Sequence, residues 1–186
     1  MLFSAQPFTT KLIQSNFKDF RYCWYWLKNN KTGAPFAKVQ PMRCIEDICV
    51  FYKKKPTYNP QGLKKLDKPI INKPKKKSGV YDVYRGGAKE QHYTNYPNHI
   101  LKFDGVATGK REHPTQKPVE LLEYLIKTYT NAGEVVLDNC MGSGSTGVAC
   151  ANTDRHFIGF ELDKGYYQTA LKRIYKAQSE RGVAVA

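Results

Sequence analysis

The sequence predicts an α/β fold with a parallel sheet, and three observations support this prediction. From His113 to the C-terminus, two apolar runs of strand length alternate with segments whose apolar residues recur at helical spacing. A glycine-rich stretch follows the first of these runs and opens the next predicted helix. Two further runs, rich in aromatic and β-branched residues, lie within the first 52 residues and indicate additional strands.

The first zone, residues 1–52, is predicted to contribute these two strands to the main sheet. The runs "RYCWYWLKN" and "EDICVFYKK" predict the strands, and the Gly- and Pro-containing stretch between them predicts a long loop in place of a tight turn. The first run is apolar on both faces, which is typical of a strand covered on both sides. Trp24 and Trp26 are therefore predicted core residues, and stacking on a nucleic-acid base is their alternative role.

The second zone, residues 53–112, is rich in lysine and tyrosine and shows no periodicity beyond a few residues. A long irregular segment inside a compact domain is usually functional or disordered. The net charge of +14 and the pI near 9.5 favour a polyanionic partner, with nucleic acid likelier than a membrane surface. The zone is accordingly predicted to recognise the target and contact its backbone, and a solvated basic loop is the alternative. The candidate contact residues are Lys73, Lys75, Lys76, Lys77 and Arg85.

Composition also excludes several classes of protein. No apolar run approaches the roughly 18 residues that a membrane helix needs, and the N-terminus lacks the pattern of a secretory signal. The five cysteines form no C-x-x-C pair and suit reduced thiols, while the four histidines are too scattered for a metal site. We expect a cytoplasmic protein without disulfides or zinc.

The third zone, residues 113–186, gives the clearest secondary-structure pattern. After the turn-rich "HPTQKP", apolar residues recur at helical spacing until Gly133. The run "EVVLDNC" predicts a buried strand, a helix is predicted over about residues 146–152, and "HFIGFEL" predicts a second strand. A last amphipathic helix is predicted from about Lys164 to Gln178. This order is a βαβ unit with parallel strands.

The stretch "EVVLDNCMGSGSTG", residues 134–147, has G-x-G-x-x-G spacing between the predicted strand and helix. Glu161 follows Gly142 by 19 residues, at the end of the next predicted strand. Glycines let a ligand approach the backbone, a helix start presents free N–H groups, and a carboxylate one strand over can accept both ribose hydroxyls. The pattern therefore predicts a ligand that contains an adenosine.

Two common adenosine ligands fit this context poorly. A kinase-type phosphate loop is excluded because Val148 and Ala149 follow Gly147, where Lys and Ser or Thr would be needed. A nicotinamide dehydrogenase needs a second mononucleotide-binding half, and only 25 residues follow Glu161. S-adenosylmethionine needs one half only. The alternative without a ligand is a glycine turn that merely lets a helix and a strand pack closely.

Three segments in order resemble the C-terminal half of the amino-methylating DNA methyltransferases, in the group whose catalytic motif precedes the cofactor loop. They are "HPTQKPVELLEYLI", "VVLDNCMGSGSTGVAC" and "FIGFELDKGYYQTALKRI". The segment "LFSAQPFTTKL" and residues 24–54 resemble the middle of the same family, in particular its short phage-type members. The resemblance implies a Rossmann-like S-adenosylmethionine-dependent fold, N-terminally incomplete, with a basic irregular insertion. It also implies double-stranded DNA as the partner, and it favours adenine N6 over cytosine N4 as the target.

The resemblance also implies a set of cofactor-binding residues. The loop would line S-adenosylmethionine, Glu161 would take the ribose, and the "HPTQKP" segment would lie near the methionine end. Carried over by position, the set is His113, Thr115, Lys117, Asp138, Cys140, Met141, Gly142, Ser143, Gly144 and Glu161. Many relatives have Pro-Phe after the loop's aspartate, whereas Asn139 and Cys140 stand here.

The family's catalytic element, a D-P-P-Y or similar tetrapeptide, occurs nowhere in these 186 residues. The catalytic residues are therefore unknown, and the resemblance places this element before residue 1. Three hypotheses follow: a methyltransferase that works with a separately supplied N-terminal polypeptide or has lost it, a non-catalytic protein that binds DNA or the cofactor, and a decayed product with no stable fold.

Overall fold

The computed structural model describes residues 1–72 and 88–182. They form two compact units, one made of Met1–Asn59 with Asn98–Ala186 and the other of Pro60–Pro97. In chain order the elements are β1 (Leu2–Ser4), α1 (Phe8–Ser15), β2 (Phe20–Thr32), β3 (Arg43–Phe51), β4 (Lys64–Asn72), β5 (Lys89–Thr94), β6 (Ile100–Lys102), α2 (Val119–Tyr129), β7 (Val135–Asp138), α3 (Ser145–Asn152), β8 (His156–Gly159) and α4 (Lys164–Glu180). The candidate DNA contacts Lys73, Lys75, Lys76, Lys77 and Arg85 lie outside the described residues.

The larger unit contains a four-stranded sheet in the order β1-β3-β2-β6. β3 is antiparallel to both of its neighbours, with Trp24 opposite Ile48 and Phe3 also opposite Ile48, and β6 runs parallel to β2. Residues 33–42 join β2 to β3, which confirms the predicted long loop. The two strands predicted within residues 1–52 are therefore neighbours in one sheet.

Trp24 and Trp26 are buried core residues, as predicted. They pack with Ile48 of β3 and with Leu121 and Leu125 of α2. Both indole N–H groups are satisfied, since Trp24 donates to the Tyr129 hydroxyl and Trp26 to the Phe103 carbonyl oxygen. The tryptophans therefore stabilise the sheet–helix core and are not presented to a base.

The prediction that β2 is covered on both sides holds only in part. Cys49, on the neighbouring strand, is fully buried, but Tyr25 retains 37% of its exposure. The short helix α1 covers part of this face through Thr9, whose hydroxyl donates to Asp47. Helix α1 has eight residues, so it does not reach across the whole strand.

The third zone folds as the predicted βαβ unit. β7 and β8 are parallel, with Val136 opposite Phe157, and α3 connects them. The apolar residues of α2 pack in two directions, because Leu122 and Ile126 lie against Ala149 and Cys150 of α3. Helix α2 thus packs against both the four-stranded sheet and helix α3 of the βαβ unit.

The middle zone is more regular than its sequence indicates. Pro60–Pro97 contains the antiparallel pair β4–β5, and Ile100–Lys102 joins the main sheet as β6. The prediction of an irregular segment over residues 53–112 is therefore wrong for these strands. Pro69 lies inside β4 where the register shifts between Lys65 and Ile70, the position at which a sheet tolerates proline.

Four strands of the larger unit, β1, β6, β7 and β8, each have one edge without a partner strand among the described residues. β1 pairs only with β3, and β7 pairs only with β8. One face of the β7–β8 pair is apolar and exposed, with Val135, Leu137, Ile158 and Phe160 each exposed by 49–62%. An apolar sheet face of this kind is normally covered in a folded domain.

None of the helices within residues 1–72 and 88–182 has the length and apolarity to cross a membrane.

Candidate functional site

The glycine loop between β7 and α3 begins the site. Gly142 and Gly144 adopt φ values of +53° and +76°, in the left-handed region that favours glycine. The amide of Gly144 donates to the Met141 carbonyl oxygen, and the Gly144 carbonyl accepts from Val148 at the start of α3. The loop therefore turns sharply before α3, whose first amides have no acceptor within the helix.

Asp138 holds this loop in shape from the end of β7. One carboxylate oxygen accepts from the Cys140 amide at 3.1 Å, and the other accepts from the Thr146 hydroxyl at 2.6 Å. Both ends of the loop are thus tied to one side chain, which makes Asp138 an organiser of the loop.

Glu161, after β8, reaches back to the same loop. One of its oxygens accepts from the Gly142 amide at 2.9 Å and the other from the Asp163 amide at 3.0 Å. Hydrogen bonds from the amides of Asp163, Gly142 and Leu162 hold the pKa of the Glu161 carboxyl below its usual range. The group is therefore an ionised acceptor whose remaining lone pairs can receive further hydroxyl donors.

The segment from His113 to Lys117 closes the site from a third direction. A Cβ on Gly142 would lie 3.3 Å from the His113 ring, so the ring packs directly over this glycine. The Nδ1 atom of His113 lies 3.1 Å from the Thr115 hydroxyl, and its ring meets Tyr166 edge-on with centroids 4.3 Å apart. Three segments distant in sequence thereby meet around Gly142.

Lys117 lies at the edge of this arrangement. Its ammonium donates to the Thr115 carbonyl oxygen at 3.1 Å and lies 3.4 Å from a Glu46 carboxylate oxygen. The pKa of the Cys140 thiol, in the glycine loop, is raised above its usual value. Burial is the largest cause, the charges of Asp138 and Glu161 raise the pKa further, and the charge of Lys117 lowers it.

Arg173 is a residue of the site that the sequence does not reveal. From α4 it donates to the Ser143 carbonyl oxygen at 2.6 Å and to the Ser143 hydroxyl at 2.9 Å, and Ser145 lies 3.2 Å away. Ser143 is buried, so this guanidinium satisfies groups that would otherwise lack partners. Arg173 therefore anchors the loop to α4 through Ser143.

The three loop glycines have different roles. A Cβ on Gly144 would lie 2.8 Å from the Ala170 Cβ, and one on Gly147 would meet Phe157 at 2.8 Å. These two glycines therefore permit close packing of α4 and β8, as the reading without a ligand proposed. The side chain of Met141 is also buried, and its sulfur packs against Gly159 of β8. Gly142 is also buried, and the His113 ring packs over it.

Comparison with known proteins assigns the chain to a family. Residues 5–172 match the DNA methylase family, whose members are N6 and N4 amino-methylases. The chain belongs to this family.

Within residues 1–72 and 88–182, no three His, Cys, Asp or Glu side chains are grouped to hold a metal ion.

Curated members of the DNA methylase family align over part of their length. The putative methylase YubD of Escherichia coli is 42% identical over 71 residues, which are 38% of this chain and 31% of that protein. The type II methyltransferase M2.DpnII of Streptococcus pneumoniae is 38% identical over 106 residues, or 50% of this chain and 39% of that protein. The chain thus spans about a third of the length of these relatives.

Solved methylase structures share the fold. The crystal structure of the M1.HpyAVI–SAM complex is 29% identical, with a TM-score of 0.61 over 92% of this chain and 72% of that one. The PvuII DNA methyltransferase, described as cytosine-N4-specific, is 16% identical with a TM-score of 0.63 and covers 93% of this chain and 62% of that one. The fold is therefore Rossmann-like, of the type found in S-adenosylmethionine-dependent DNA methyltransferases, as the sequence predicts.

Proposed function

We propose that this methylase-family chain binds S-adenosylmethionine and forms the cofactor-binding part of a DNA amino-methyltransferase. The observation that carries the proposal is the meeting of three segments at Gly142: His113 to Lys117, the loop after Asp138, and Glu161. Each segment supplies a different chemistry to one small region. The relative M1.HpyAVI, which shares the fold, was crystallised as a complex with SAM.

The residues present fit this cofactor. Glu161 is ionised and keeps lone pairs for the ribose hydroxyls, and Gly142 carries no side chain that would keep the adenosine away from the backbone. Thr115 and the ammonium of Lys117 supply a hydroxyl and a positive charge for the methionine carboxylate. When bound, the cofactor supplies an electrophilic methyl group on its sulfonium.

DNA is the proposed substrate, with the N6 amine of adenine as the methyl acceptor. The net charge of +14 supports a polyanionic partner, and the preference for adenine rests on the resemblance of the ordered motifs to the family. Residues 53–112 are the proposed target-recognition region, with Lys73, Lys75, Lys76, Lys77 and Arg85 as candidate contacts. A cytoplasmic location is part of the proposal, because the five free cysteines suit a reducing compartment.

The group that holds the target amine is proposed to come from a segment outside residues 1–186. The absence of a D-P-P-Y tetrapeptide from residues 1–186 supports this arrangement. The open edges of β1 and β7 and the exposed apolar face of the β7–β8 pair support it as well, because an added strand and helix would cover them. The second candidate function, a non-catalytic protein that binds DNA or the cofactor, is favoured by the same missing tetrapeptide.

Replacing Glu161 with Ala is expected to weaken S-adenosylmethionine binding about tenfold or more, because the variant loses a charged acceptor for the ribose hydroxyls. Isothermal titration calorimetry measures the change. Glu180→Ala is the matched control, since Glu180 is an exposed acid near the end of α4 that pairs with Lys176. Affinity equal to that of the control variant would mean that Glu161 only anchors the Gly142 amide and takes no part in binding.

A further inference from the structure

A pocket of about 390 Å³ lies beside the cofactor residues, between the ends of β2 and β3 and residues 105–117. Its lining includes Thr115 and Lys117, which are proposed for the cofactor, together with Arg43 and Arg111. A second pocket shares Arg111 with the first and extends along Asn29 to Lys31. The two make one open groove that starts next to the proposed methionine end of the cofactor.

The pocket has a clear excess of positive charge. Its lining contains four cationic side chains, Lys28, Arg43, Arg111 and Lys117, and one carboxylate, Glu46. Glu46 is already shared, with Lys28 at 2.9 Å on one oxygen and Lys117 at 3.4 Å on the other. Among the described residues, neither Arg43 nor Arg111 has a carboxylate within ion-pair distance.

The lysines of this pocket are held in place and partly shielded from water. The side chains of Lys28 and Lys117 are exposed by only 11% and 21%, and that of Glu46 by 24%. Each ammonium also lies over an aromatic ring, Lys28 at 5.6 Å from the Trp26 centroid and Lys117 at 5.2 Å from that of Phe3. Arg43 and Arg111 are exposed, so their guanidinium groups are accessible to an anion that reaches the pocket.

We propose that this pocket is a phosphate subsite, which receives the DNA backbone beside the nucleotide that is methylated. The inference rests on the proposed function and names further DNA contacts for it. Guanidinium groups bind phosphate through paired N–H donors, and Arg43 and Arg111 are the two cations of the pocket without a carboxylate partner. An extruded base brings its flanking phosphates to the mouth of its pocket, and this groove opens beside the cofactor residues.

The test removes the two arginines and measures the salt dependence of DNA binding. The double variant Arg43→Gln/Arg111→Gln is compared with Lys18→Gln/Lys172→Gln, which removes the same charge from exposed positions away from the pocket. Log affinity falls as log salt rises, and each lost phosphate contact should make this negative slope shallower by about 0.9. The expected result is a slope smaller in magnitude by about one to two in the pocket variant only, with the 186-residue chain titrated against a duplex oligonucleotide.

Cofactor binding and thermal melting of the same variants separate the outcomes. Unchanged melting and unchanged S-adenosylmethionine affinity, with the smaller slope, support a phosphate subsite. A pocket variant whose slope equals that of the control overturns it. Weakened S-adenosylmethionine binding with an unchanged slope also overturns it, because the pocket would then hold the cofactor's carboxylate. A wild-type chain that binds DNA but no S-adenosylmethionine would refute the proposed function while leaving the subsite testable.

Discussion

The 186-residue chain alone is expected to transfer no measurable methyl group to DNA, and addition of a D-P-P-Y-containing segment from a relative is expected to restore turnover. Methyl transfer requires the target amine to be held in line with the sulfonium methyl, and positioning of this kind contributes several kcal/mol, about 7 to 11, to lowering the barrier. Asp138 accepts from the Cys140 amide and the Thr146 hydroxyl, and the remaining lone pairs of Glu161 are assigned to the cofactor ribose, so neither carboxylate is assigned to the amine. Transfer of tritiated methyl to unmethylated DNA measures the difference.

The matched control is the same segment with the aspartate of the tetrapeptide replaced by Ala. This segment should still bind the chain but should restore no activity, because the amine loses its acceptor. Turnover by the chain alone would contradict the account and would mean that a residue within the 186 holds the base. Failure of the intact segment to restore turnover, despite binding, would favour the non-catalytic alternative.

Replacement of Gly144 with Ala is expected to have the largest effect on stability. The new methyl group would lie 2.8 Å from the Ala170 Cβ and 2.9 Å from its Cα, and the residue would keep a φ of +76°. The left-handed backbone costs about 1 to 2 kcal/mol for a residue with a Cβ. Overpacking against the backbone of α4 adds about 1 to 3 kcal/mol. Urea denaturation should therefore show a free energy of unfolding lower by about 2 to 5 kcal/mol.

Gly133→Ala separates these two contributions. Gly133 has a nearly equal φ of +80°, but a Cβ there meets no atom within 4 Å. Any effect of alanine on the unfolded chain is common to both variants. Gly133→Ala should thus show the backbone cost alone, and equal losses in the two variants would show that α4 does not pack tightly on the loop.

Those parts of the fold that depend on local patterns were predictable from the sequence. The helix over Val119–Tyr129 follows from its apolar spacing, and the β7–loop–α3–β8 order follows from two apolar runs around a glycine stretch. The position of Glu161 was predictable as well, because the end of a parallel strand lies next to the loop that follows its neighbour.

The remaining features depend on tertiary contacts that no local pattern encodes. Arg173 reaches Ser143 only because α4 packs across α3, 30 residues further along the chain. Strand β4 has lysines at exposed positions and contains Pro69, so it lacks an apolar alternation. Strand β6 has only three residues and forms by pairing with β2.

Calorimetric titration of the wild-type chain with S-adenosylmethionine, its demethylated product, NAD and ATP tests the central claim most directly. The meeting of His113, the Gly142 loop and Glu161 predicts that S-adenosylmethionine or its demethylated product binds more tightly than either NAD or ATP. Tighter binding of NAD or ATP would contradict this account of the site.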